Sequence, residues 1–280
     1  MKKQYQKLSN PKTIKIAFSG SGFLAPIHAG FACGIMDANY KIIEVAGTSG
    51  GSIVASLLAT GATQKTIKDV VFAPYPKGIV EKSYWKIATA IMNNEFYVND
   101  GTILSQYLYE YLADSTFKSV NIPITIMATN LSKDDVQEFS REKTPDVKLV
   151  FASRASSSVP YIYKPVEYNG DLLVDGGVRN NIPTNKLSSG GLKVGVRIID
   201  GGNSNVNNIL RFSQQLINNL LDSNEDNLDS WAESTGTTIV KISGDPYNFL
   251  DARIDLTGKK DMFNRGYQAA KQFLSQHGQH

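Results

Sequence analysis

The sequence predicts an α/β fold with a central, mostly parallel sheet flanked by helices, and three observations carry that expectation. Residues 14–18 form a short apolar run, residues 26–38 place Ile27, Phe31 and Ile35 on one helical stripe, and residues 42–46 are apolar again. Strand, helix, strand, helix in that order requires crossover connections, which make neighbouring strands parallel and lay helices over the sheet. No internal repeat or proline-rich linker divides the 280 residues, so residues 1–280 read as one domain with its core in 14–274 and polar tails.

The elements follow in order. After the first strand, Ser19-Gly20-Ser21-Gly22-Phe23 makes a glycine-rich loop into the helix at 26–38. The second strand, 42–46, breaks at Gly47-Thr48-Ser49-Gly50-Gly51, and a helix starting near Gly50 carries an apolar face of Ile53, Val54, Leu57 and Leu58. Residues 74–99 cluster Tyr84, Trp85, Ile87, Ile91, Met92, Phe96 and Tyr97, which reads as a helical excursion packed on the core, with an acyl-lined groove as the alternative. Further helices are expected at 101–111, 207–221 and 261–274. Further strands are expected at 122–128, 148–151, 193–199 and 238–242, and Leu172-Leu173-Val174 is a short apolar strand.

Composition excludes several function classes. The chain is 41% hydrophobic, enough for one large core or two modest ones, and a formal net charge of +3 with scattered basic residues argues against a nucleic-acid partner. Cys33 is the only cysteine, so an intrachain disulfide and a thiolate metal cluster are both excluded; this suits a reducing compartment and equally a disulfide-free exported protein. The first thirteen residues are polar, the apolar run after them is too short for a signal sequence, and no later stretch reaches membrane-spanning length. The expectation is a cytoplasmic protein that meets a membrane from its surface. Asp134-Asp135 lacks further oxygen ligands and reads as a solvated loop, so no metal or cofactor is expected.

Ser49 is the residue to explain. Gly-x-Ser-x-Gly between an apolar strand and an apolar helix is the layout of a nucleophile elbow: Gly47 and Gly51 let backbone pass close, and the free amides at the helix start face whatever reacts with the serine. The loop at 19–23 is also where a dinucleotide fingerprint would sit. Its third glycine is replaced by Ala25, Pro26 follows, and the second strand ends in Val45-Ala46-Gly47 rather than an acidic residue. Beside an elbow, the amides of Gly20, Ser21 and Gly22, together with Gly50, make better sense as an oxyanion hole.

A nucleophilic serine needs a proton acceptor. The chain has only His28, His277 and His280; the last two lie in a polar tail, and His28 reads as a packing residue in the first helix. The alternative is Asp175, delivered by an apolar strand into Gly176-Gly177, so a Ser49–Asp175 dyad is the simpler reading. An ordinary aspartate is a weak base, so such a dyad depends on a short direct hydrogen bond and a strong oxyanion site.

At these residues the chain resembles the patatin-like phospholipases and acyl hydrolases. That family joins a glycine-rich oxyanion loop, a Gly-x-Ser-x-Gly serine and an Asp-Gly-Gly aspartate in a Ser-Asp dyad, similar here to Gly20-Ser21-Gly22, Gly47 to Gly51 and Asp175-Gly176-Gly177. Ala155-Ser156-Ser157-Ser158-Val159-Pro160, Asn180-Asn181-Ile182-Pro183, Thr129-Asn130-Leu131 and Asn264-Arg265-Gly266-Tyr267 resemble other family segments, so the likeness spans residues 14–274. The family loop commonly reads Gly-Gly-Gly-x-Arg/Lys-Gly; Leu24 and Ala25 here replace the basic residue and the last glycine, leaving backbone donors without a basic side chain. The resemblance implies a structural role for His28 and a serine hydrolase of fatty-acyl esters of phospholipids or lysophospholipids, acting on an acyl lipid or membrane surface. The rival reading is a non-catalytic acyl-chain-binding protein on the same scaffold.

Overall fold

A computed structural model describes residues 12–80, 97–199 and 229–277. The cluster residues 84–96, the helix expected at 207–221 and His280 lie outside the described residues. The chain runs β1 (Thr13–Phe18), α1 (Ala25–Asp37), β2 (Lys41–Thr48), α2 (Gly50–Ala59) and α3 (Gln64–Phe72). It continues through β3 (Tyr97–Asn99), α4 (Thr102–Leu112), β4 (Ile124–Asn130), β5 (Asp135–Ser140) and α5 (Leu149–Ser156). The last elements are β6 (Tyr161–Tyr163), β7 (Val166–Tyr168), β8 (Asp171–Asp175), β9 (Leu192–Ile199), β10 (Thr237–Ser243) and α6 (Leu256–His277).

Eight strands form one sheet in the order β10-β9-β1-β2-β4-β8-β7, with β5 also on β4. The pairs from β10 to β4 are parallel, while β5, β8 and β7 join antiparallel, so the sheet is mostly parallel as expected. Ile14, Ile16 and Phe18 of β1 are fully buried, as are Ile27, Phe31 and Ile35 of α1. α6 covers α1, with Phe31 and Phe273 ring centroids 6.2 Å apart.

The strand expected at 148–151 is instead the start of α5. Lys148 still makes an isolated antiparallel bridge to Thr116, but from Leu149 the chain coils and buries Leu149, Ala152 and Ala155 on one stripe. A lysine and three apolar residues are too few to separate a strand from a buried helical turn. α6 starts five residues earlier than expected, at Leu256, and α3, capped by the Thr63 side chain on Thr66 N, was not legible in the sequence.

One edge of β4 positions the site. β5 pairs along the far edge from Thr125 to Asn130, so β2 and β8 must share the near edge end to end. Thr48 lies opposite Met127 and Asp175 opposite Ala128. The carboxyl ends of β2 and β8 therefore meet head to head, and the residue after Thr48 is brought against Asp175.

Candidate active site

Ser49 joins β2 to α2 at φ 50° and ψ −127°, a conformation that costs a non-glycine residue on the order of 1–3 kcal/mol and persists only where neighbours enforce it. The neighbours are identifiable. Ser49 N donates to Ser156 Oγ at 2.7 Å, and Ser156 Oγ donates to Met127 O at 2.6 Å, so α5 fastens the turn to β4. Ser52 closes the other side, its N and Oγ donating to Ser49 O at 2.9 and 2.6 Å. The flanking glycines are required by close approach: a Cβ on Gly47 would stand 2.7 Å from Gly51 O, and one on Gly51 2.3 Å from Ser19 O.

Ser49 Oγ donates to Asp175 Oδ2 at 2.7 Å. The other carboxylate oxygen, Oδ1, accepts Gly177 N at 2.8 Å, which fixes the plane of the group, and Asp175 N donates to Ser158 O at 3.0 Å. Gly176 passes so near β4 that a Cβ there would lie 2.1 Å from Met127 O. Asp175 is only 6% exposed, and its burial pushes the carboxyl up from 3.8 to about 6 against the opposing pull of the Ser49 and Gly177 hydrogen bonds. Burial thus supplies the basicity that an ordinary aspartate lacks.

The glycine-rich loop stands beside this pair. A Cβ on Gly20 would be 3.6 Å from Ser49 Cβ, and one on Gly50 would be 2.9 Å from Gly22 N. The amides of Ser21, Gly22 and Gly50 form no hydrogen bond among the described residues, and Gly50 opens α2 with its partial positive charge. Gly20 differs from the expectation for an oxyanion donor: its N–H is spent on Asn181, at 3.0 Å to the backbone O and 3.1 Å to Oδ1. It braces the loop instead.

His28 is fully buried, donating from Nε2 to Ser19 O at 2.9 Å with its ring edge-on to Phe18 at 5.2 Å. Burial lowers its imidazole to about 3, so it is neutral and holds the start of the loop in place. His277 is bound within α6, to Phe273 O at 3.0 Å. Neither hydrogen-bonds to Ser49, whose Oγ is bound to Asp175. Asp134 pairs with Arg179, Asp135 accepts its neighbour Val136 N, and Asn130 bridges Asp171 and Lys133 N, so these loop groups have structural partners.

Four supporting residues had no role assigned from sequence. Ser156 holds the elbow, and Asn181 with Asn180, whose carbonyl accepts Thr48 Oγ1 at 2.8 Å, ties the loop and β2 together. Arg154, buried on α5, donates to Ser158 Oγ, Asp100 O and Lys164 O. The only signal for them was their membership of the segments around Ala155-Ser156 and Asn180-Asn181; the partners come from distant elements.

A family model described as patatin-like phospholipase matches residues 16–187, more than half of the chain. An uncharacterized protein of Acanthamoeba polyphaga mimivirus is 30% identical over 188 residues, covering 64% of this chain and 62% of that relative, less than two thirds of its length. A probable lipid hydrolase of Invertebrate iridescent virus 6 is 25% identical over 281 residues, covering 93% of this chain and 89% of the relative. Among solved structures, VipD from Legionella pneumophila shares the fold, with a TM-score of 0.57 at 15% identity, covering 96% of this chain and 67% of that one. The sheet, the serine turn and the family match lead to one conclusion: this chain belongs to the patatin-like phospholipase family.

Proposed function

We propose that the chain is a serine acyl hydrolase that cleaves fatty-acyl esters of phospholipids or lysophospholipids through a Ser49–Asp175 dyad. The observation that carries this is the 2.7 Å hydrogen bond from Ser49 Oγ to a buried carboxylate raised to about 6, at a strained turn held by Ser156 on one side and Ser52 on the other. Membership of the family and the likeness to the iridescent-virus relative, a probable lipid hydrolase, support a lipid ester as substrate.

Ser49 Oγ attacks the ester carbonyl as its proton passes to Asp175, and the negative charge on the carbonyl oxygen is met by the unpaired amides of Gly22, Gly50 and Ser21. Collapse expels the alcohol, which takes the proton from Asp175 and leaves an acyl ester on Ser49. Water, deprotonated by Asp175, then attacks that ester, and as the fatty acid is released Asp175 returns the proton to Ser49 Oγ. Gly47, Gly51, Gly176 and Gly177 serve the geometry, three by close approach and Gly177 by its bond to Oδ1. Residues 1–280 form one hydrolase domain in this reading, since eight strands drawn from residues 13 to 243 share one sheet and α6 folds back on α1. No helix among the described residues is long and apolar enough to cross a membrane, and the proposed encounter with lipid is at the surface.

A fluorophosphonate ester tests the nucleophile. The native chain is expected to form a stable adduct on Ser49 that Ser49→Ala lacks, and a panel of defined acyl lipids with product identification then names the bond cleaved. Absence of labelling on folded native protein would favour the lipid-binding reading instead.

A further inference from the structure

Ser21 carries a hydroxyl that the mechanism above leaves idle. The residue is 5% exposed, and its Oγ is buried without a hydrogen-bond partner. That oxygen lies against the residue following the nucleophile: a Cβ on Gly50 would stand 2.5 Å from Ser21 Oγ and 2.9 Å from Gly22 N. Gly50 is the first residue of the ten-residue α2, so the hydroxyl sits where the helix presents unpaired amides and partial positive charge.

The neighbouring hydroxyls make the exception plain. Thr48 Oγ1 donates to Asn180 O, Ser52 Oγ to Ser49 O and Ser156 Oγ to Met127 O, so every one of these side chains around the turn is engaged within the fold. A buried O–H without an acceptor is unfavourable, and native structures keep such groups where a ligand completes them. Beside that point stand the Gly22 and Gly50 amides, donors lacking an acceptor, and the Gly22 carbonyl oxygen, which lies 2.5 Å from the same Cβ but makes no hydrogen bond with Ser21 Oγ. A hydroxyl and two amides left without an acceptor fit an oxygen that carries negative charge.

We propose that the Ser21 hydroxyl is a direct side-chain donor to the oxyanion, a catalytic residue beyond the dyad and the backbone amides. The proposal rests on the Ser49 acyl-hydrolase reading. In the step it serves, Ser49 Oγ bonds to the carbonyl carbon, its proton moves to Asp175, and the carbonyl π pair becomes a lone pair on oxygen. Ser21 O–H donates a hydrogen bond to that oxygen and keeps its own proton. When the carbonyl re-forms, the alcohol departs with the proton from Asp175 and the bond to Ser21 weakens. The hydroxyl therefore favours the transition state over bound substrate.

Ser21→Ala and Ser21→Cys test this on the full chain, with melting temperature as the fold control. Cysteine keeps the side-chain shape with a slightly larger atom and replaces a strong donor by a weak one. Both variants are expected to lose roughly 10- to 100-fold in kcat on a short-chain ester, and to bind a trifluoromethyl ketone, which forms a charged hemiketal with Ser49, more weakly by a similar factor. Affinity for a non-hydrolysable ether lipid should stay within about twofold of native. Should kcat and ketone affinity hold within about twofold in both variants, or should ether-lipid affinity fall while kcat holds, the Ser21 role is overturned with the dyad untouched. If native protein neither turns over ester nor labels at Ser49, the acyl-hydrolase reading itself falls, and the Ser21 role with it.

Discussion

The buried carboxyl of Asp175 ties activity and stability to pH in opposite senses. Folded, the group titrates at about 6; in the unfolded chain it returns towards its ordinary 3.8, because the cause of the rise is burial. An acid whose folded value is raised contributes stability that is fully present below the unfolded value and lost as pH rises through the folded one. Between about pH 4.5 and about pH 8 that loss amounts to roughly 2 kcal/mol from this one residue. Asp175→Asn keeps the shape and an oxygen to accept Gly177 N–H but has no charge to bury. Relative to native protein, its unfolding free energy is therefore expected to rise by roughly 2 kcal/mol across that interval, read by urea denaturation at both pH values. Its turnover should fall by roughly a hundredfold or more, since an amide cannot take the Ser49 proton. Native kcat/KM should climb with pH through about 6 and then level as the carboxylate becomes the dominant form. A native profile that is flat across this range, or full turnover in Asp175→Asn with circular dichroism unchanged, would refute the reasoning.

The remaining predictions use the same scaffold. Ser49→Gly should melt higher than Ser49→Ala, by the equivalent of about 1–3 kcal/mol, because glycine tolerates φ 50° where alanine keeps the strain; both should be inactive, and equal melting temperatures would contradict the strained turn. His28→Gln can extend an amide towards Ser19 O and should retain most stability, whereas the shorter His28→Asn should lose about 1–3 kcal/mol by leaving that carbonyl unpaired. Both should still hydrolyse ester, and loss of turnover at unchanged melting would point to a catalytic histidine. Truncation after Leu274 removes His277 and the residues beyond it, and should change kcat/KM by less than about threefold; a large selective loss would revive a triad drawn from the tail.

The sequence alone determined the α/β class and singled out the residues proposed to carry the chemistry. Strand-helix alternation over the first 60 residues follows from local hydrophobic period, and the Gly-x-Ser-x-Gly spacing around Ser49 is written in adjacent residues, although Gly51 is required by Ser19 O from the neighbouring strand's loop. What adjacency could not show is which distant group a residue meets. The run at 148–151 opened a helix that packs on the sheet, α2 and α4, and at the end of that helix the Ser156 hydroxyl accepts Ser49 N from 107 positions away. Gly20 was legible as a loop glycine, yet only the approach of Asn181 showed that its amide is already spent. Asp175 carried no local mark of an unusual carboxyl. Its shift to about 6 arises from burial beneath the point where β2 and β8 meet on one edge of β4, and desolvation is a property of everything packed around a group rather than of its neighbours in the chain.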